Sequence, residues 1–299
     1  MTFAIAAVAV ACNSQPSPAP SVSGTGAPAS GTPASAAPAT GTPVTGAPTS
    51  AATTTIRAYF FRGTLGQNGG LLPVERLVAQ LEPAGATERA ALEALIAGPS
   101  AAELAASPPL YSLMPEGTRV LAYDIGPNGV RTVDLSGEFE AAGSANAKGR
   151  LAQVVYTLTQ FPGVTDVRFK IDGRAITVFT DAKLPLDPPV DRLDYADQLP
   201  VVLIDTPAWG AALGNPAHLT GLADAFEAQF LVRILDAGGN ELAKASVMAS
   251  CGSGCRGTFD TTLPYSVAAA GPGRVQAYEL SEVDGSIVNL TEYPELLSP

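Results

Sequence analysis

The sequence predicts an α+β multidomain chain: an α/β domain with helices packed on a small sheet, then an all-β sandwich. Three observations carry this. Residues 150–173, RLAQVVYTLTQFPGVTDVRFKIDG, read as a helix, a sharp stop and a strand. Leu151, Val154, Val155 and Leu158 recur at helical spacing and make one apolar stripe. Beyond residue 200 the periodicity changes to short runs of alternating apolar and polar residues, the signature of half-buried strands. With 299 residues and 46% apolar composition, the length prior is about two domains.

The net charge of −11 sets the chain against nucleic acid, because binding a phosphate backbone needs clustered Lys and Arg. A single histidine, His218, excludes by counting most zinc sites and most Ser–His or Cys–His machinery. The three cysteines, Cys12, Cys251 and Cys255, suit an exported protein better than a cytosolic metal site.

Residues 3–11, FAIAAVAVA, are too short to span a bilayer, which takes about 20 residues, and have the length of a signal-peptide core. Ala9, Val10, Ala11 and Cys12 are similar to a bacterial lipobox, which implies cleavage before Cys12 and acylation of its thiol. Ala9 stands where that motif usually has leucine, and no basic residue precedes the core. A secretory leader with an incidental cysteine is the alternative. Residues 13–54 are Ala, Pro, Ser, Thr and Gly with almost nothing else, so they cannot bury enough apolar surface to offset ordering entropy. Such a linker reaches roughly 40 Å as a coil and about 130 Å if polyproline-like. It reads as a stalk.

The first folded domain is expected over residues 55–182. TIRAYFF (55–61) is β-branched and aromatic, hence a strand; LLPVERLVA (71–79) is a second. The glycine-rich loop between them lacks the Gly-Lys-Ser/Thr ending of a phosphate loop and reads as a hairpin connection. Thr87 is placed to cap a helix through Leu92, Leu95 and Ile96, stopped at Gly98-Pro99. TRVLAYDI (118–125) and GVRTVDLS (129–136) form a predicted hairpin across Gly126–Gly129. The helix follows, ended by Pro162-Gly163, then the strand containing Val167, Phe169 and Ile171, and a last strand, AITVF (175–179).

ALEALIAGPS (91–100), MPEGTRV (114–120), VDLSGEF (133–139) and residues 150–173 together resemble the GerMN domain, named for bacterial sporulation and spore germination proteins. The resemblance implies a non-catalytic α/β module outside the cytoplasmic membrane, often on lipoproteins, used for protein–protein assembly.

Residues 183–200 read as a solvated linker, rich in Pro and Asp. Asp187, Asp191, Asp194 and Asp197 lack the alternate-position ligand spacing of a calcium loop. From 201 to 299, seven β-rich runs are expected: 201–207, 218–223, 226–236, 241–249, 257–265, 273–281 and 286–293, with Gly238-Gly239 and Asp284-Gly285 as turns. That spacing argues for an antiparallel sandwich. The order of DTPAWG, LTGLADAFEA, VRILDAGGN, GTFDTTLPY and VQAYELSEVDGS resembles the immunoglobulin-like domain that follows GerMN domains in germination-type proteins.

Candidate chemistry is sparse. Two glycines among the three residues between Cys251 and Cys255 let the chain fold back within disulfide range; a redox pair or half a metal site are the alternatives. His218 opens a strand and reads as an edge residue. Trp209 is a core plug or an exposed binding aromatic. Glu279, Glu282 and Asp284 bracket a turn without a cleft evident in the sequence. Ser253 stands between glycines, yet has neither the strand-to-helix turn nor the partner histidine of a nucleophile elbow.

The expectation is therefore a non-enzymatic lipoprotein with no catalytic residue, cofactor or metal, anchored through Cys12 at the outer face of the bacterial cytoplasmic membrane. Its expected partners are envelope proteins, not nucleic acid. A peptidoglycan binder or hydrolase and a solute-binding lipoprotein are the alternatives.

Overall fold

The computed structural model describes residues 52–63, 69–80, 82–141, 143, 146–179 and 182–299. The leader, Cys12, nearly all of the Pro-rich stretch and part of the first hairpin loop lie outside the described residues. Residues 50–299 form one compact unit.

Its first half contains strands β1 (Thr53–Arg62) and β2 (Leu71–Ala79), helices α1 (Ala86–Ala97) and α2 (Ala101–Leu104), and strand β3 (Leu110–Tyr111). Then come β4 (Val120–Ile125), β5 (Val130–Leu135), α3 (Glu138–Ala141), α4 (Ala147–Leu158), β6 (Asp166–Ile171), β7 (Arg174–Ala175), β8 (Val178–Phe179) and β9 (Leu184–Pro185). Three sheets result, ordered β2-β1-β3, β4-β5-β6-β7 and β8-β9. The β1–β2 and β4–β5 hairpins pair antiparallel as the turn residues predict, whereas β5 and β6 run parallel with α3 and α4 as the crossover.

Helix α4 is the centre of this half. Its apolar stripe of Leu151, Val154, Val155 and Leu158 is buried, but so is every other residue from Gly149 to Leu158. Gly149 has no side chain because a Cβ there would lie 2.6 Å from Leu113 and 3.0 Å from the Phe61 ring. Arg150 is buried too, donating to the carbonyl oxygens of Phe139 (3.1 Å) and Gly143 (2.5 Å), with its guanidinium over the Phe139 and Phe179 rings.

Four expectations need correction here. Helix α1 begins at Ala86 behind a left-handed Gly85 with no side-chain cap, so Thr87 lies inside the first turn instead of capping it. The strand expected at 175–179 is split, because the chain changes partner: β7 pairs with β6, and β8 with β9. Segment 183–200 is not solvated throughout; Leu186, Val190, Tyr195 and Leu199 are buried, and Leu193–Gln198 is a 3-10 helix. The run expected as a strand from 226 begins later, at Gln229, because Phe226–Ala228 is a 3-10 turn on which Phe226 is exposed.

The second half contains β10 (Val202–Thr206), β11 (Ala212–Leu213), β12 (Ala217–Ala223), β13 (Gln229–Asp236), β14 (Glu241–Met248), β15 (Gly257–Leu263), β16 (Gly271–Leu280) and β17 (Ile287–Leu297). The seven predicted runs are all present, with β11 added. They form a sandwich of β10-β12-β15 against β11-β17-β16-β13-β14. Phe230 of one sheet meets Phe259 of the other edge to face, centroids 5.0 Å apart. In β12 only glycine fits at 221, where a Cβ would lie 1.9 Å from the Leu203 carbonyl oxygen.

Candidate functional site

The junction between the two halves is the most elaborate polar structure among the described residues. Alternation along β1 puts Arg57 and Tyr59 on one side of the strand. Arg57 donates to Asp205 Oδ2 (2.6 Å) and to Thr206 Oγ1 (2.8 Å), both on β10. The Tyr59 hydroxyl donates to the other Asp205 oxygen at 3.2 Å. Burial pushes the Tyr59 phenol up to about 12, against the opposing pull of Arg192, so it stays a donor at neutral pH. Arg192 closes the group. Its guanidinium lies 4.8 Å from the Tyr156 ring centre and 5.6 Å from that of Tyr59, and donates to Thr159 Oγ1 at 2.7 Å.

Further along, the Trp209 N–H donates to the Pro73 carbonyl (3.0 Å) and Arg62 donates to the Leu290 carbonyl (2.7 Å). Trp209 is thus half-buried at the junction, packed on the core by its ring and on β2 by its backbone. Glu295 on β17 is buried, and neither carboxyl oxygen has a hydrogen-bond partner among the described residues. Burial, with Glu75 adding to it, pushes its carboxyl up to about 9, so it is neutral at pH 7.

Beside the junction lies a cleft of ≈ 480 Å³ bordered by Arg192, Asp205, Thr220, Leu222, Phe259 and Asp260. His218 sits on the open sheet face, its Nε2 2.7 Å from Asp260 Oδ1. Cys251 and Cys255 are joined, their Cα atoms 5.9 Å apart. Ser253 Oγ accepts from the Glu227 N–H (2.9 Å), so it is a loop tie. Asp191 Oδ1 accepts from the Leu193 N–H (2.7 Å) at the start of the 3-10 helix, and Asp197 pairs with Lys148 (2.8 Å). Glu279 spans two backbone segments, accepting from the Phe226 N–H (2.7 Å) and from Asn289 Nδ2 (2.6 Å). Among the described residues no His, Cys, Asp and Glu cluster could hold a metal ion. No helix among them is long and apolar enough to cross a membrane.

Sequence reasoning missed Arg57, Arg192, Asp205 and Glu295. Arg57 interrupts a run otherwise read as an ordinary strand, which was the available signal, whereas Glu295 lies beyond the last expected run, 286–293.

Residues 57–177 match the family model described as sporulation and spore germination. Residues 201–286 match the immunoglobulin-like domain of bacterial spore germination. The first GerMN domain of the sporulation protein GerM from Bacillus subtilis is 21% identical, over 47% of this chain and 98% of that one, with a TM-score of 0.37. The tandem GerMN domains of the same protein are 17% identical, with 73% of this chain covering 63% of that one, and a TM-score of 0.40. A putative lipoprotein from Clostridium perfringens is 21% identical over 49% of this chain and 93% of its own length, at a TM-score of 0.33. No curated protein matches the chain.

Proposed function

From a chain that carries a GerMN domain at 57–177 and an immunoglobulin-like germination domain at 201–286, we propose a non-enzymatic assembly module of the bacterial cell envelope, anchored through an acylated Cys12. The observation that carries this reading is the junction. Arg57 and Tyr59 meet Asp205 across it, with Arg192 stacked on the Tyr59 ring, so two recognition modules present their surfaces as one preorganised body. Preorganisation lowers the ordering cost of docking, which is what a scaffold needs. The acidic surface and the open sheet edge at β14 leave room for a protein partner to add a strand.

Proximity labelling from a fusion to the full chain in its own cells tests the proposal. Enrichment of envelope proteins over a Cys12→Ser control is the expected result. Labelling of cytosolic proteins alone overturns it. Incubation of the purified chain with labelled peptidoglycan adds two outcomes: cleavage makes the chain a hydrolase, and retention without cleavage makes it a wall binder.

A further inference from the structure

The end of the sandwich formed by the Asp224–Ala228 turn, the disulfide loop and the β16–β17 hairpin carries an apolar groove rimmed by carboxylates. Two adjoining clefts, ≈ 510 Å³ and ≈ 280 Å³, share Phe226, Glu279, Leu280 and Glu282. Phe226 is 56% exposed and Leu280 47%, and Val283 at the hairpin tip is 96% exposed. Val288 adds to the wall of the larger cleft. A contiguous apolar surface on an otherwise acidic chain marks a contact site.

The groove is preformed. The Ser253 N–H donates to the Ala225 carbonyl (3.0 Å) and the Ala249 N–H to the Ala228 carbonyl (2.8 Å), tying the disulfide loop to the turn. Glu279 ties the turn to the hairpin. Glu227, Ala228, Ser253 and Asn289 all hold positive φ here, a conformation that costs energy and persists only where surrounding structure enforces it.

Charge selects the occupant. Glu227, Glu279 and Glu282 line the clefts, and neither cleft is lined by a lysine or arginine. An acidic rim repels anionic lipid headgroups and acidic peptides and attracts cations. We propose that this groove docks a short apolar segment of a partner protein flanked by Lys or Arg, the apolar side chains seated against Phe226 and Leu280. The proposal rests on the assembly reading above and names the surface that serves it.

The test uses the purified full chain and two fluorescent probes: a short peptide alternating leucine with lysine, and its leucine–glutamate counterpart. Anisotropy should show binding of the lysine peptide alone. Leu280→Ser and Glu282→Gln should each weaken it, the first about tenfold or more, while Glu116→Gln, a charge removed elsewhere, leaves it unchanged. Equal affinity for both peptides, or a Leu280→Ser variant that binds like the parent, overturns the proposal. Capture of the chain on phosphatidylcholine vesicles, abolished by Val283→Ser, would make the hairpin a lipid contact and overturn it as well. Proximity labelling with Leu280→Ser separates the two readings. Partners kept by the variant sink the groove alone, and partners missing from the parent sink the assembly function.

Discussion

Gln160 holds both backbone polar groups of Arg57: its Oε1 accepts from the Arg57 N–H at 2.7 Å, and its Nε2 donates to the Arg57 carbonyl at 2.6 Å. Two residues on, Thr157 Oγ1 accepts from the Tyr59 N–H (3.3 Å) and Gln153 Nε2 donates to the Tyr59 carbonyl (2.7 Å). These four groups lie on the side of β1 away from β2, where the sheet supplies a partner strand only at Phe61 and Arg62. The polar face of α4, extended by Gln160 just past its end, therefore stands in for a strand and completes the ladder of a buried edge.

Replacing Gln160 by Ala leaves an N–H and a carbonyl of β1 unpaired. The expected loss is about 2 kcal/mol in urea unfolding at constant m-value, the cost of orphaned backbone groups. A loss under about 0.5 kcal/mol would show that solvent satisfies Arg57 equally well.

Arg57 and Asp205 are each about seven-tenths buried and couple the two halves, with side-chain exposures of 27% and 30%. A double-mutant cycle on Arg57→Ala and Asp205→Ala should give a coupling of about 1 kcal/mol that shrinks in high salt. Additivity within error would make the ion pair ornamental, and the junction's rigidity would then rest on packing alone.

Glu295 predicts a pH dependence of unusual sign. Its folded carboxyl titrates near 9, above the ordinary carboxylate value of 4.5, so between those limits the folded state holds a proton that the unfolded state has lost. Its contribution to stability is fully present below about pH 4.5 and falls by up to about 1.4 kcal/mol per pH unit until the folded group ionises. Glu295→Gln should flatten the fall in melting temperature between pH 5 and 9 and stabilise the protein at pH 8. Parallel profiles for parent and variant would refute the assignment.

Gly221→Ala should cost about 3 kcal/mol, because the added methyl meets the Leu203 carbonyl and the Phe259 ring between two strands that cannot separate without breaking their ladder. A variant that melts with the parent would mean that β10 moves aside freely.

Much of the architecture was legible because its cause is local. The stripe from Leu151 to Leu158, the stop at Pro162-Gly163 and the turns at Gly238-Gly239 and Asp284-Gly285 are each written within a few residues. The stripe says nothing about the helix's other side. Gln153 and Thr157 in the helix, with Gln160 just past its end, have the composition of a solvated face, and nothing local shows that an edge strand covers them. Segment 183–200 misled likewise, since its Asp and Pro content hides Leu186, Val190, Tyr195 and Leu199, which the core claims.

The sequence by itself determined the order of modules, the periods of their helices and strands, and the scarcity of groups able to do chemistry. Tertiary structure alone decided which polar residues are buried and with whom: Arg57 with Asp205, Gln160 with the β1 backbone, Glu295 with no hydrogen-bond partner among the described residues. The reason is range. Backbone preferences and apolar periodicity act over a few residues, whereas the partner of a buried charge or amide is set by segments about a hundred or more positions away in the chain, brought near only when the whole core closes.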